Sequence, residues 1–322
     1  MKRNIINKNF LEELNKITSK KSTLVKDISD ILNIEKVSVY RRLRGEIDFT
    51  VNELVILAQK YGISIDSIIN KTQQGTYKFF PMQLPQFDHI GNFNLELIEQ
   101  GLMFHNNFFK QSDCEIAGAL STMPFFLYAP YRELTKFFLF KWAHHFCKLD
   151  EFKHHDTMQV PEELYKLYSN LTNKLKRTKY TFYIWDQSII YNLVNDIKYY
   201  QSMDKISSES VKVLKNELFI FLDDLENILA NGKYENTDNK FDFYISSIHV
   251  ESTQLCMISE KYTLSIINMP IVQASYSNEK ETCKTILKWI KSIKIGSTLI
   301  SDSAEKERTL FLQKQRDIVD TL

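Results

Sequence analysis

No stretch of this 322-residue chain approaches the roughly 18 consecutive apolar residues that a membrane-spanning helix needs. The nearest, "FFLFKWAHHF" at 137–146, is short and carries a lysine. The opening "MKRNIINKNFLEELNK" lacks the apolar core of a secretory signal. Cysteine is sparse: Cys114, Cys147, Cys256 and Cys283 stand far apart with no CxxC pair. That usage excludes a disulfide framework and fits reduced thiols, so a cytoplasmic location is expected. Glycine and proline are scarce, at 8 and 6 residues, which favours helices and packed cores over long loops. Sequences of the types GxSxG, GxxxxGK[ST], GxGxxG and HExxH are missing. The chain is therefore expected not to be an enzyme and to need no cofactor.

What the chain does have is aromatics, with 22 Phe and 16 Tyr in a composition 43% hydrophobic and 25% charged. Its length predicts two or three domains. The net charge of +1 hides an asymmetry: residues 1–72 sum to +4 and the remainder to −3. The excess is concentrated in "NIEKVSVYRRLRGEID" (33–48), which holds Lys36, Arg41, Arg42 and Arg44. A basic head on a slightly acidic body points to a polyanion partner for the head alone.

Four helical patterns fit within the first 65 or so residues. Phe10, Leu11, Leu14 and Ile17 mark the first. "TLVKDISDIL", read as starting after a Ser22 cap, is the second, and the arginine-rich stretch is the third. "VNELVILAQKY" is the fourth, opened by a capping box at Thr50 and Glu53 and stopped by Gly62. A helix-turn-helix demands a small residue inside its first helix, and Ser29 is there. It also demands a turn residue tolerant of the left-handed conformation, supplied by Asn33, and then apolar anchors, supplied by Ile34, Val39 and Leu43.

On these residues the run "LVKDISDILNIEKVSVYRRLRGEID" resembles the helix-turn-helix of the Cro/repressor (XRE-like) family. The following "TVNELVILAQKYGISIDSI" resembles that family's fourth helix, in Ala58, Gly62, Ile63, Ser64 and Asp66. Asn33 stands where the family has glycine, Ser29 where it has alanine, and Arg42 where it often has an aliphatic residue. The resemblance implies that the third helix lies in the DNA major groove. Lys36, Val37, Ser38, Tyr40 and Arg41 would then face bases or nearby phosphates, and Arg42 and Arg44 the backbone.

"KTQQGTYKFFPMQLPQFD" reads as a linker over 73–88, since Pro81 and Pro85 interrupt helix continuation. Beyond it, helices are expected at 94–111, 131–149, 161–176, 186–201 and 207–232, with Pro161 at a first helical position and caps at Ser207 and Gly232. "FDFYISSIHV", "TQLCMISEK" and "YTLSIINMPIVQAS" read as two or three antiparallel strands, and two helices close the chain. The expected fold class is mainly α with a small α+β part. It comprises a four- to five-helix helix-turn-helix domain (1–72) and a helix-rich domain (89–322) with a small antiparallel sheet. "STMPFFLYAPYRELTKFFLFKWAHH", "YTFYIWDQSIIYNLVNDIKYY" and "ILKWIKSIKIGSTLISDSAEKERTLFLQKQRDIV" resemble a family of uncharacterised helix-turn-helix transcriptional regulators, which implies a role in transcription without a ligand.

Two clusters are candidates for further chemistry. "WAHHFCKLDEFKHHD" contains His144, His145, Cys147, Glu151, His154, His155 and Asp156, but the spacing matches no zinc pattern, so no metal is expected. "STLISDSAEKER" (297–308) sets Ser301, Ser303, Lys306 and Arg308 ahead of a helix, where an anion can bind, or where Asp302 and Glu305 simply cap. "FFPMQLPQF" and "MPFFLYAPY" read as core rather than pocket. The expected partners are double-stranded DNA, a second copy of the chain in a homodimer and a small-molecule effector, with no membrane. The competing classes are an enzyme with an accessory DNA-binding head and a protein-interaction module.

Overall fold

Alternation of buried and exposed positions along the N-terminal 70 residues produces five short helices around one apolar centre. The computed structural model describes residues 5–17, 21–61, 63, 65–70, 113–146, 152–235, 237–268 and 275–322. The chain divides into two units, Met1–Met82 and Gln83–Leu322. The linker read at 73–88, the helix read at 94–111 and the Gly62 stop lie outside the described residues.

In the first unit the helices are α1 (Ile5–Ile17), α2 (Lys21–Leu32), α3 (Lys36–Leu43), α4 (Val51–Tyr61) and α5 (Ile65–Asn70). Their core comprises Phe10, Leu14, Leu24, Val25, Ile28, Val39, Leu43, Phe49, Leu57 and Ile68. Helix α2 begins at Lys21, so Ser22 lies inside its first turn and is not its cap.

The second unit is built on a sheet, which corrects the expected fold class. Its elements run β1 (Glu115–Leu120), α6 (Phe125–Tyr128), α7 (Arg132–Phe146), α8 (Glu162–Leu175), β2 (Tyr180–Trp185), α9 (Ile189–Ser202), α10 (Ser208–Asn231), β3 (Lys240–Ser246), β4 (Gln254–Ile258), β5 (Thr263–Ile267), β6 (Ser275–Ser277), α11 (Lys280–Ile295), β7 (Ser297–Leu299) and α12 (Glu305–Asp320). The strands form one seven-stranded sheet in the order β6-β5-β4-β1-β2-β3-β7. Strands β1, β2 and β3 pair in parallel, and the other pairings are antiparallel. This is a substantial mixed α/β fold, not a mainly α domain with a small antiparallel sheet.

The physical reason is coverage on both faces. Ile116, Leu120, Tyr183, Trp185, Phe241 and Phe243 share one core with helices α7, α9, α10 and α12. Ala117, Ala119, Phe182, Ile184 and Cys256 share a second core with Cys283, Ile286, Ile290 and Ile293 of α11. A strand buried on both faces loses the polar alternation by which strands are recognised. "EIAGAL" and "YTFYIW" carry none, so nothing in their pattern marks them as strands. The strand in "FDFYIS" is β3, which pairs in parallel with β2 and is separated from β4 by two other strands.

Helix ends follow their local chemistry. Ser207 accepts a hydrogen bond from the Ser210 amide, and α10 ends on Gly232 at φ 60. Pro161 is the N-cap of α8 rather than its first helical residue. The described cysteines Cys114, Cys256 and Cys283 are buried. Among the described residues no helix is long and apolar enough to cross a membrane.

Candidate nucleic-acid interface

The turn between α2 and α3 rests on Asn33, which takes φ 51, in the left-handed region. Asparagine visits that region more readily than other non-glycine residues because its short polar side chain bonds locally. Ser29 has a second role beyond small size. Its hydroxyl donates to the Ile34 carbonyl at 2.6 Å, while the Ile34 amide donates to the Ser29 carbonyl at 3.2 Å. These two bonds cross the turn and fix the exit direction of the chain. Ile34 then packs, partly buried, against the head's core.

Helix α3 is anchored from one side only. Val39 and Leu43 are buried. Lys36, Val37, Tyr40, Arg41 and Arg44 are exposed, a spacing that puts them on one outer face. Val37 is 65% exposed. Ser38 lies between the two faces and is half-buried. The helix ends by a Schellman arrangement: Gly45 (φ 71) donates to the Arg42 carbonyl at 2.8 Å and Glu46 to the Arg41 carbonyl at 2.9 Å.

Arg42, unlike its exposed neighbours Arg41 and Arg44, is engaged inside the head. Its guanidinium grips Glu53 with both Nε and Nη2, at 3.2 and 2.9 Å, and only 15% of its side chain is exposed. Glu53 is at the same time half of the Thr50 capping box: it accepts the Thr50 amide at 2.8 Å, and its own amide donates to the Thr50 hydroxyl at 3.3 Å. Burial alone would raise the Glu53 pKa, but the Thr50 amide and Arg42 outweigh it and hold the carboxyl below its ordinary range. One carboxylate thus caps α4 and locks α3 against it. The residue that sequence reading set among the DNA contacts is occupied inside the head.

The two exposed arginines share a different acid. Arg41 Nε lies 3.5 Å and Arg44 Nε 3.0 Å from the Glu46 carboxylate, and all three side chains are about half exposed. Sequence reading also missed Asn7, which is buried and clamps Phe49 in both directions: its Nδ2 donates to the Phe49 carbonyl at 3.2 Å and its Oδ1 accepts the Phe49 amide at 3.1 Å. This ties α1 to the segment leaving α3. A polar residue 42 positions away leaves no periodic signal.

Of the other candidate residues, Ser301, Ser303 and Arg308 are engaged in structure. Ser301 is fully buried and accepts the Phe243 amide at 3.0 Å. Ser303 donates to the Ser301 carbonyl at 3.4 Å, and Arg308 donates to the carbonyls of Ile300 and Ser303 at 3.1 and 3.0 Å. Lys306 is exposed on the first turn of α12. The capping pair expected of Asp302 and Glu305 does not form. Asp302 and Ala304 both take positive φ, and Ala304 occupies the N-cap without a side-chain bond.

The histidine-rich segment is dispersed rather than convergent. His144 Nδ1 lies 3.1 Å from the Phe152 carbonyl oxygen, and His154 Nδ1 lies 3.1 Å from that of Asp204. Cys147, Glu151 and the His145 side chain lie outside the described residues. Among the described residues, no group of three or more His, Cys, Asp or Glu is placed to hold a metal ion.

Residues 2–121 match the family model described as the BetR domain. This part of the chain is similar to a family of helix-turn-helix-like DNA-binding domains, which supports a DNA-binding regulatory role. Comparison with curated proteins and with solved structures gave no match.

Proposed function

We propose that this chain is a sequence-specific, DNA-binding transcriptional regulator of the XRE-like kind, whose α3 enters the major groove. The single observation that carries this reading is the outer face of α3, where Lys36, Val37, Tyr40, Arg41 and Arg44 stand exposed while Val39 and Leu43 hold the opposite face. An arginine fork matches both guanine O6/N7 and phosphate oxygens. Arg41, in the middle of the face, reads a base edge; Arg44, at the helix exit, holds a phosphate. Arg42 keeps α3 in register through Glu53 and makes no base contact. No reaction is part of this reading, and the work of the chain is recognition.

A fluorescence-anisotropy salt series on operator and scrambled duplexes tests it. Arg41→Ala is expected to weaken operator binding about 5- to 150-fold and relax preference at one position, since a bidentate base contact discriminates by roughly 1–3 kcal/mol. Arg44→Ala is expected to weaken both duplexes alike and to reduce the slope of log K against log salt by about one unit. Glu46→Gln frees both arginines and is expected to tighten both duplexes by about 2- to 5-fold, the range of exposed ion pairs. Arg41→Ala matching the unaltered protein on both duplexes at every salt concentration would rule out groove entry by α3.

One head covers too little DNA for useful specificity, and two heads on half-sites about one helical turn apart supply it. We assign the pairing to residues 89–322, where Tyr199 of α9, Met203 just beyond it, and Val213 and Ile220 of α10 expose apolar surface. Light scattering on the full chain at micromolar concentration is expected to give twice the 38.0 kDa mass. A single-chain mass across that range sinks the dimer.

A further inference from the structure

A cleft of about 470 Å³ opens where the parallel strands β2 and β3 end, between the start of α9 and the side of α12. In open α/β sheets the carboxyl ends of parallel strands are where ligands bind, and this volume falls within the range of small-molecule sites. The cleft lies wholly in the second unit and owes nothing to the DNA-binding reading.

Its back wall is Asp186, the first residue after β2 and 4% exposed. Four donors saturate its carboxylate: the Ser188 amide at 2.8 Å and hydroxyl at 2.6 Å, the Val250 amide at 2.6 Å and His249 Nδ1 at 2.8 Å. Burial alone would raise its pKa, but those donors overcome burial and hold it below the carboxylate range. A saturated acid presents no free acceptor to a ligand. It does fix the His249 ring, which is 67% exposed, and because Nδ1 faces the acid, Nε2 on the far edge of the ring is turned away from it.

What remains open along the cleft are donors. Lys314 Nζ has one bond, to Gln187 Oε1 at 3.3 Å, leaving two hydrogens. The Tyr191 and Ser247 hydroxyls line the same cleft. The 14-residue helix α9 also begins here, with Ser188 as its N-cap and its amide already held by Asp186. Ile248 and Ile318 add apolar wall.

We propose that this cleft binds a small organic oxyanion, a carboxylate or a phosphate on an apolar body, held by Lys314 and, when its ring carries both protons, by His249 Nε2–H, with its body against Ile248, Ile318 and the Tyr191 ring. A cationic ligand finds one lysine and no free carboxylate. A wholly apolar ligand leaves the lysine desolvated.

The test is isothermal calorimetry on the full chain at fixed ionic strength. The probes are benzoate and phenyl phosphate, with benzylamine as the cationic control. One of the two anions is expected to bind saturably with a Kd near or below about 1 mM; which one binds identifies the head group. Benzylamine is expected not to bind. His249→Gln and Lys314→Gln are each expected to weaken the anion about 10-fold or more, the effect of one charge-assisted hydrogen bond. Lys306→Gln, on the neighbouring segment, is expected to leave it unchanged. No saturable binding of either anion up to about 10 mM overturns the proposal. So does equal binding of benzylamine, or unchanged binding in the His249→Gln, Lys314→Gln double variant. Thermal melts of each variant confirm that any loss occurs in folded protein.

Discussion

Val39→Asp is expected to unfold the N-terminal head while leaving the sheet-bearing unit intact. Val39 is 0% exposed and sits in the same core as Ile28, Leu43, Leu54 and Leu57. No described basic side chain is buried in that core to receive a carboxylate, because Arg42 is already held by Glu53. The substitution removes apolar burial and introduces a charge without a partner. Such changes cost roughly 4 kcal/mol or more, comparable to the whole stability of a unit this small. Limited proteolysis of the full chain is expected to degrade residues 5–70 rapidly and leave a resistant fragment from the second unit. Val39→Asp with wild-type resistance and wild-type DNA binding would mean that α3 is not anchored through Val39. This outcome differs from that of Arg41→Ala, which is expected to lose DNA and keep the fold.

The second large effect is acid destabilisation of the other unit through His155. Its side chain is fully buried against the rings of Phe137 and Phe140, at centroid distances of 6.4 and 5.6 Å. Among the described residues neither ring nitrogen has a hydrogen bond, and the acids Glu133 and Asp156 stand 3.6 and 3.7 Å away. Burial, reinforced by Lys136 and only partly opposed by Asp156, pushes its pKa down from 6.5 to about 4.

The unfolded chain therefore takes up a proton below about pH 6.5, whereas the folded chain does not until about pH 4. Stability is full above the upper value and falls as the pH drops through that window, by roughly 3 kcal/mol in all. Other groups act in distinguishable ways. The Asp156 carboxyl is held below its ordinary 3.8, so its contribution is lost at the acid edge of the window and beyond. Glu217 is raised by burial, so its protonation favours the folded state on the way down and offsets part of the loss. For a unit this size the net change lowers the melting temperature by about 4–10 °C between pH 7 and pH 4.5. His155→Gln is expected to flatten that limb. Parallel melting curves against pH for the two proteins would show that His155 is not the group responsible.

The helix-turn-helix was legible because its constraints are local. The turn residue Asn33 lies four positions from Ser29, Val39 and Leu43 are one turn apart, and Thr50 and Glu53 fall within a single capping box. Backbone sterics and helical periodicity act over such spans, and the residue types there admit few other arrangements. What the sequence of α3 does not show is the partner of Arg42, since Glu53 lies 11 residues on, in the next helix. Charge and type mark an arginine as available for DNA; only the packing of α3 against α4 shows that it is taken.

The second unit shows the opposite case. Helix positions and the caps at Ser207 and Gly232 followed from sequence, since a capping hydroxyl and a left-handed glycine act on their own neighbours. The sheet did not. Parallel partners such as Ala117 and Phe182, or Phe182 and Asp242, are brought together only after whole helices have crossed between them. Strands covered on both faces also carry no alternation to mark them. The cleft has the same origin: Asp186, His249 and Lys314 come from three elements, and no spacing relates them. By itself the sequence determined the Asn33 turn and the Thr50–Glu53 capping box of the head, the Ser207 and Gly232 ends of α10, and the lack of a long apolar span. The mixed sheet, the commitment of Arg42 to Glu53, the buried unpartnered His155 and the Asp186–His249 pair were decided only by tertiary structure, because each depends on residues that meet by long-range packing.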